Sequence, residues 1–173
     1  MPMQFVRHPA AALLLCLFTT GVFLAATHAT VHAADWRLKG WEQGSAYDAL
    51  YIPADREKFT AVIEKVIDIT PMPGMDEGVG LIAKRDDTGE KVTVHIGPKD
   101  FVTTRSDWAA VTPGAKAKIY GVYNDLADKE IFLLNKIVVG DKMVKVRKTG
   151  DGRGWWTLTP EELAKEEADN KAE

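Results

Sequence analysis

The chain has 173 residues, 27% of them charged, with a formal net charge of −3 and one cysteine. A single cysteine excludes a disulfide within the chain, a Cys-based zinc site and a Cys-pair haem attachment. The negative balance argues against the broad phosphate-neutralising surface that nucleic-acid binding needs, so no nucleic-acid partner is expected.

The first 33 residues read as a secretory signal peptide. Arg7 supplies the positive start, residues 9–26 carry no charge, and Val31-His32-Ala33 offers a small-residue cleavage site. The apolar run is shorter than a membrane span needs, so no stable span is expected once the leader is removed. Cys16 lies inside that run and Arg7 is the only basic residue of the leader, so its removal is expected to leave a cysteine-free chain with 21 basic against 25 acidic side chains. The expected location is periplasmic or secreted.

Residues 34–58 hold Trp36, Trp41, Tyr47 and Tyr51 among polar neighbours without a clean period. They read as an arm whose aromatics pack on the domain. From Phe59 to Trp156–Thr157 the signals are β. Phe59–Ile69 is rich in β-branched residues and ends at Thr70-Pro71. Gly78–Arg85 and Lys91–Ile96 are two strands joined by the turn Asp86-Asp87-Thr88-Gly89. Ser106–Val111 reads as one helical turn. Strands follow at Ala115–Tyr123, Glu130–Val139 and Met143–Lys148, with a turn at Asn124–Lys129. Thr159-Pro160-Glu161-Glu162 is a helix start with a capping box, opening an acidic helical tail over 158–173.

Five to six short strands over residues 59–157, with a helical turn between the third and fourth, predict a mainly β fold. The expected form is an oligonucleotide/oligosaccharide-binding (OB) type barrel that closes to remove its edges. The stretch from Tyr51 to Trp156 resembles small exported bacterial OB-fold proteins, mostly without assigned function. The resemblance is carried by Pro73-Gly74-Met75, Gly78, Val94-His95-Ile96-Gly97-Pro98, Pro113-Gly114, Gly140-Asp141-Lys142 and Gly154-Trp155-Trp156. It implies a binding or structural role, and a fold alone supplies no function.

Pairing Arg85 with Glu90 across the turn sends Val79, Leu81, Ala83, Val92, Val94 and Ile96 into the barrel. It sets Gly80, Ile82, Lys84, Lys91, Thr93 and His95 on the outer face. That is the face OB proteins use for ligands. Ligand-binding candidates are therefore His95, Lys84, Lys91 and Thr93, with Trp155 and Trp156 as a stacking pair. Strand alternation would bury one of these tryptophans and expose the other. Met72 and Met75 precede the second strand, and with His95 they make a soft donor set suited to copper or silver. In this the chain more distantly resembles the periplasmic OB-fold copper chaperones, though its ligand spacing differs. Lys142, Lys145, Arg147 and Lys148 form a basic cluster beside the last hairpin. No nucleophile elbow, phosphate loop or HExxH pattern is present, so no enzyme is expected. The sequence thus points to an exported, non-enzymatic binding or accessory protein for an envelope protein or small anionic ligand, with no required cofactor. The alternatives are a soft-metal carrier and a structural subunit of a cell-envelope assembly docking through the arm.

Overall fold

The computed structural model describes residues 36–172; the expected leader, residues 1–33, lies outside them. Six strands run β1 (Glu57–Ile69), β2 (Gly78–Arg85), β3 (Lys91–Pro98), β4 (Lys116–Leu126), β5 (Lys129–Val139) and β6 (Lys142–Lys145). The sheet order is β3-β2-β1-β4-β5-β6, and a parallel pairing of β3 with β5 closes it into a barrel. A short helix, α1 (Lys99–Thr103), and a 3-10 turn at Ser106–Ala110 lie between β3 and β4. This is the expected OB-type barrel, with β6 added outside β5.

The barrel follows from alternation. Along β4, Ala117, Ile119 and Gly121 are buried, while Lys116 and Lys118 are exposed and Tyr120 is half-buried. The predicted β2–β3 register holds from Lys84–Lys91 to Gly80–His95, then slips by one residue at Val79. Bulges also fall at Glu64 in β1 and at Asn135 in β5, opposite the Tyr120–Gly121 step of β4. They supply the bend that closure requires.

The structure differs from the sequence reading at several element ends and in one added helix. The β4–β5 connection is only Ala127-Asp128, both with positive φ, so β4 runs three residues further than expected. A two-residue hairpin turn of that kind matches strand twist. The last strand stops at Lys145, because the chain turns inward to pair Arg147 with Gly154 in a single bridge. α1 was not expected; Pro98 precedes it and Asp100 sits in its first turn. The C-terminal helix α2 (Pro160–Ala172) begins with the expected capping box. Thr159 N–H donates to Glu162 Oε2 (3.0 Å), and Glu162 N–H donates to Thr159 Oγ1 (3.2 Å). The helix docks through Leu163 and through Glu166, which faces Lys145 and Lys148.

The closing seam rests on Phe132, opposite Val94, with edge-on contacts to Phe59 (5.0 Å) and Tyr123 (4.7 Å). Phe132→Ala is expected to cost about 3–5 kcal/mol in denaturant unfolding. It should also speed hydrogen exchange at Val94 and His95 more than in the β1–β2 ladder. Equal acceleration in both places would contradict a seam held by this ring.

Candidate functional site

The upper end of the β2–β3 hairpin is floored by two glycines. Gly78 lies beneath the Trp41 ring and Gly97 beneath the Trp156 ring, and a Cβ at either position would collide with the indole above it. Side-chain absence is what lets the rings seat. Trp41 and Trp156 meet edge to face at 5.9 Å, and Tyr47 meets Trp41 at 4.9 Å. Every polar tip in this trio finds a partner. Trp41 Nε1–H donates to the Asp76 carbonyl (2.9 Å), and Trp156 Nε1–H donates to the Trp41 carbonyl (2.8 Å). The Tyr47 hydroxyl shares a 2.9 Å hydrogen bond with His95 Nδ1.

This arrangement changes the standing of His95. The ring is opposite Gly80 as the pairing predicts, yet it is only 7% exposed, because Tyr47 of the arm stacks over it. Burial pulls the imidazole down to about 4, so it is neutral at physiological pH. Burial likewise pushes the Tyr47 phenol above its ordinary range. The expectation of an open outer face at His95 is therefore corrected: the arm covers it.

The arm is locked from below by Arg147, which is 2% exposed. Its Nη1 donates to Asp48 Oδ1 (3.0 Å) and to the Gly152 carbonyl (2.9 Å). Its guanidinium lies 4.7 Å from the Tyr51 ring centre and 5.0 Å from that of Trp156. Asn135 holds this segment in place by donating to the Arg147 carbonyl (2.9 Å). Planarity and five donors suit arginine to such a stacked, hydrogen-bonded position, and lysine could not replace it. Further out, Arg37 pairs bidentately with Asp100.

The remaining predicted site residues separate into three places. Lys84 and Lys91 are exposed and Thr93 half-buried on the part of the face that the arm leaves open. Trp155 and Trp156 are both buried, which corrects the expectation of one exposed ring. They sit in a 3-10 turn, Trp155–Thr157, where strand alternation does not apply. Met72 and Met75 are half-buried packing residues, and Met75 folds its side chain against Gly40 of the arm. For a soft metal, His95 would have Nε2 to offer, since Nδ1 is engaged by Tyr47. No group of three or more His, Cys, Asp or Glu side chains is placed to hold a metal ion among the described residues.

Tyr47, Arg147 and Asn135 were not singled out in the sequence as a group. Arg147 was visible only as one of a basic cluster, and that cluster is largely consumed internally. Lys145 and Lys148 face Glu166, and Arg147 faces Asp48. No helix among the described residues is long and apolar enough to cross a membrane.

Arg147→Ala removes a buried charge from its partners and is expected to cost about 3–5 kcal/mol in urea unfolding. It should also speed tryptic cleavage at Arg37 and Lys39 in the arm. An unchanged unfolding midpoint would mean that the arm does not depend on this residue.

The chain matches the profile of the MamS/MamX magnetosome protein family over residues 55–144, from the start of β1 into β6. No curated protein matches it. The resemblances to exported OB-fold proteins and to copper chaperones rest on fold and residue type. With residues 55–144, more than half of the chain, matched, the chain belongs to the MamS/MamX magnetosome protein family.

Proposed function

We propose that this protein is an exported, non-enzymatic accessory component of the magnetosome. In this reading it docks an acidic protein partner on the outer lysine face of β1, β2, β3 and β4. The family match supports the setting. The only imidazole among the described residues is spent on Tyr47, which supports a binding role over a catalytic one.

One observation carries the choice of surface. Lys91 lies opposite Lys84, Lys84 opposite Val62, and Val62 opposite Lys116, forming a continuous outer row across four strands. Lys118 is opposite Thr60, and Lys58 is opposite Tyr120, in the two rows below. Like charges placed directly across a ladder disfavour the sheet by a few tenths of a kcal/mol or more. Lysines are common on edge strands, where they block unwanted pairing. That reason fails for Lys84 and Lys118, which are paired with a neighbouring strand on both sides.

Lys91 and Lys116 have exposed acidic neighbours, Glu64 at 2.8 Å and Asp86 at 2.9 Å. Exposed pairs of this kind are worth little and exchange readily. Lys58, Lys84 and Lys118 have no acidic partner among the described residues. Val62, 37% exposed, and Tyr120 give the face an apolar centre. The lysines spread over several strands instead of converging, which suits an extended acidic segment better than a small anion. Lys84, Lys91 and Thr93 thus stay in the proposed surface, while His95 leaves it.

Poly-glutamate is a suitable probe. Titration followed by backbone NMR is expected to move signals on β1, β2 and β4, with binding that weakens steeply as salt is added. The double change Lys84→Glu and Lys118→Glu should lower affinity about tenfold or more without unfolding the barrel. Salt-insensitive binding, or binding unaffected by the charge reversal, would contradict this surface.

A further inference from the structure

The C-terminal helix α2 is tied to the barrel by few contacts. Apart from Pro160, Leu163 is its only apolar side chain larger than alanine, and it packs against the core. Ala164, Lys165, Glu167, Ala168 and Asp169 are exposed. A cleft of about 550 Å³ separates the helix, at Leu163, Glu167 and Asn170, from Phe101, Met143 and Trp155 of the body. Docking therefore leaves part of the space beneath α2 unfilled, and unfilled space forfeits packing contacts. Asn170 Oδ1 is buried and meets no donor. Water would satisfy that atom in a released helix, so its burial works against docking.

The remaining ties are ionic. Glu162 accepts from Arg153, and Glu166 faces Lys145 at 3.7 Å and Lys148 at 3.8 Å, both longer than a hydrogen bond. The Lys145 side chain is only 5% exposed. Burying an ammonium group against a carboxylate at that separation carries a desolvation cost that the attraction repays only in part. Glu162 and Glu166 also stand four positions apart on one helix stripe. Like charges at that spacing disfavour the free helix, and here Arg153, Lys145 and Lys148 of the body offset them. A helix of 13 residues is marginal alone in water. The order of α2 thus depends on its docking.

We propose that α2 is a detachable strap, helical while docked and unwound when released, that shuts the side of the barrel carrying Met143, Lys145 and Trp155. Release returns water to Lys145 and Asn170 and removes the outer wall of the cleft. Ordering and release of a segment is a common switching element. The strap lies apart from the lysine face of β1 to β4, and neither depends on the other.

The test is acetylation of the full chain with a succinimidyl ester, mapped by mass spectrometry. Lys142, with its side chain 65% exposed, is the reference for an open amine. Lys145 is expected to react far more slowly than Lys142 in the native chain. Glu166→Gln removes the facing carboxylate and should raise the Lys145 rate, relative to Lys142, about tenfold. Leu163→Ala removes the apolar anchor but keeps the carboxylate, so a rise there reports release rather than a changed charge beside the amine. In both variants the amides of Glu166 and Glu167 should exchange faster, with the unfolding midpoint of the barrel unmoved. A Lys145 rate unchanged in either variant, or rising only as the barrel itself unfolds, overturns the proposal.

Discussion

The seating of Trp41 and Trp156 on the glycine floor of the β2–β3 hairpin governs the rest of this molecule. A buried indole contributes a few kcal/mol through the area it removes from water. Here two of them, from segments 115 residues apart, share one edge-to-face contact and one hydrogen bond. The arm is thereby fixed along the top of the barrel, and Tyr47 is carried onto His95. Arg147 secures the same assembly from below by holding Asp48, stacking on Tyr51 and Trp156, and bonding to the Gly152 carbonyl.

That constraint redistributes function over the fold. In an OB barrel the outer face of strands two and three is a usual ligand surface. In this chain its upper part is closed by the protein's own arm, and the His95 imidazole becomes a neutral hydrogen-bonding partner. What stays open is the lower part, and there Lys91 of β3 and Lys84 of β2 continue through Val62 of β1 to Lys116 of β4. The acidic helix α2 takes up part of the other basic cluster, with Glu166 facing Lys145 and Lys148. The family match spans the barrel and leaves out most of the arm and all of α2. The parts that cover and cap the barrel are therefore the parts outside the matched region.

Much of the fold was legible because period-two alternation is a local signal. The β2–β3 register followed from one turn, Asp86-Asp87-Thr88-Gly89, and the capping box at Thr159–Glu162 followed from residue type alone. The site was less legible because it depends on contacts between distant segments. Lys84 and Lys91 could be placed on a face from their strands, and Lys116, Lys118 and Tyr120 alternate just as plainly. Nothing local in Tyr47 says that it will reach His95, 48 positions away. Trp155 and Trp156 misled for a different reason. Alternation was assumed where the chain makes a 3-10 turn, and a turn can bury adjacent side chains together. Gly78 stands in the sequence as the start of a strand and Gly97 as part of a short motif, and only the rings above them show that they are clearances.

The most direct test of this account is NMR titration of the His95 imidazole in the intact protein. With the arm seated and Tyr47 on Nδ1, the ring is expected to stay neutral as pH falls and to take a proton only near pH 4. In that window between the ordinary histidine value near 6.5 and the lowered one, the unfolded chain binds the extra proton, so stability falls as pH falls. A ring that titrates near 6.5 with rapid solvent access would contradict the account, because it would place His95 on an open face with the arm displaced.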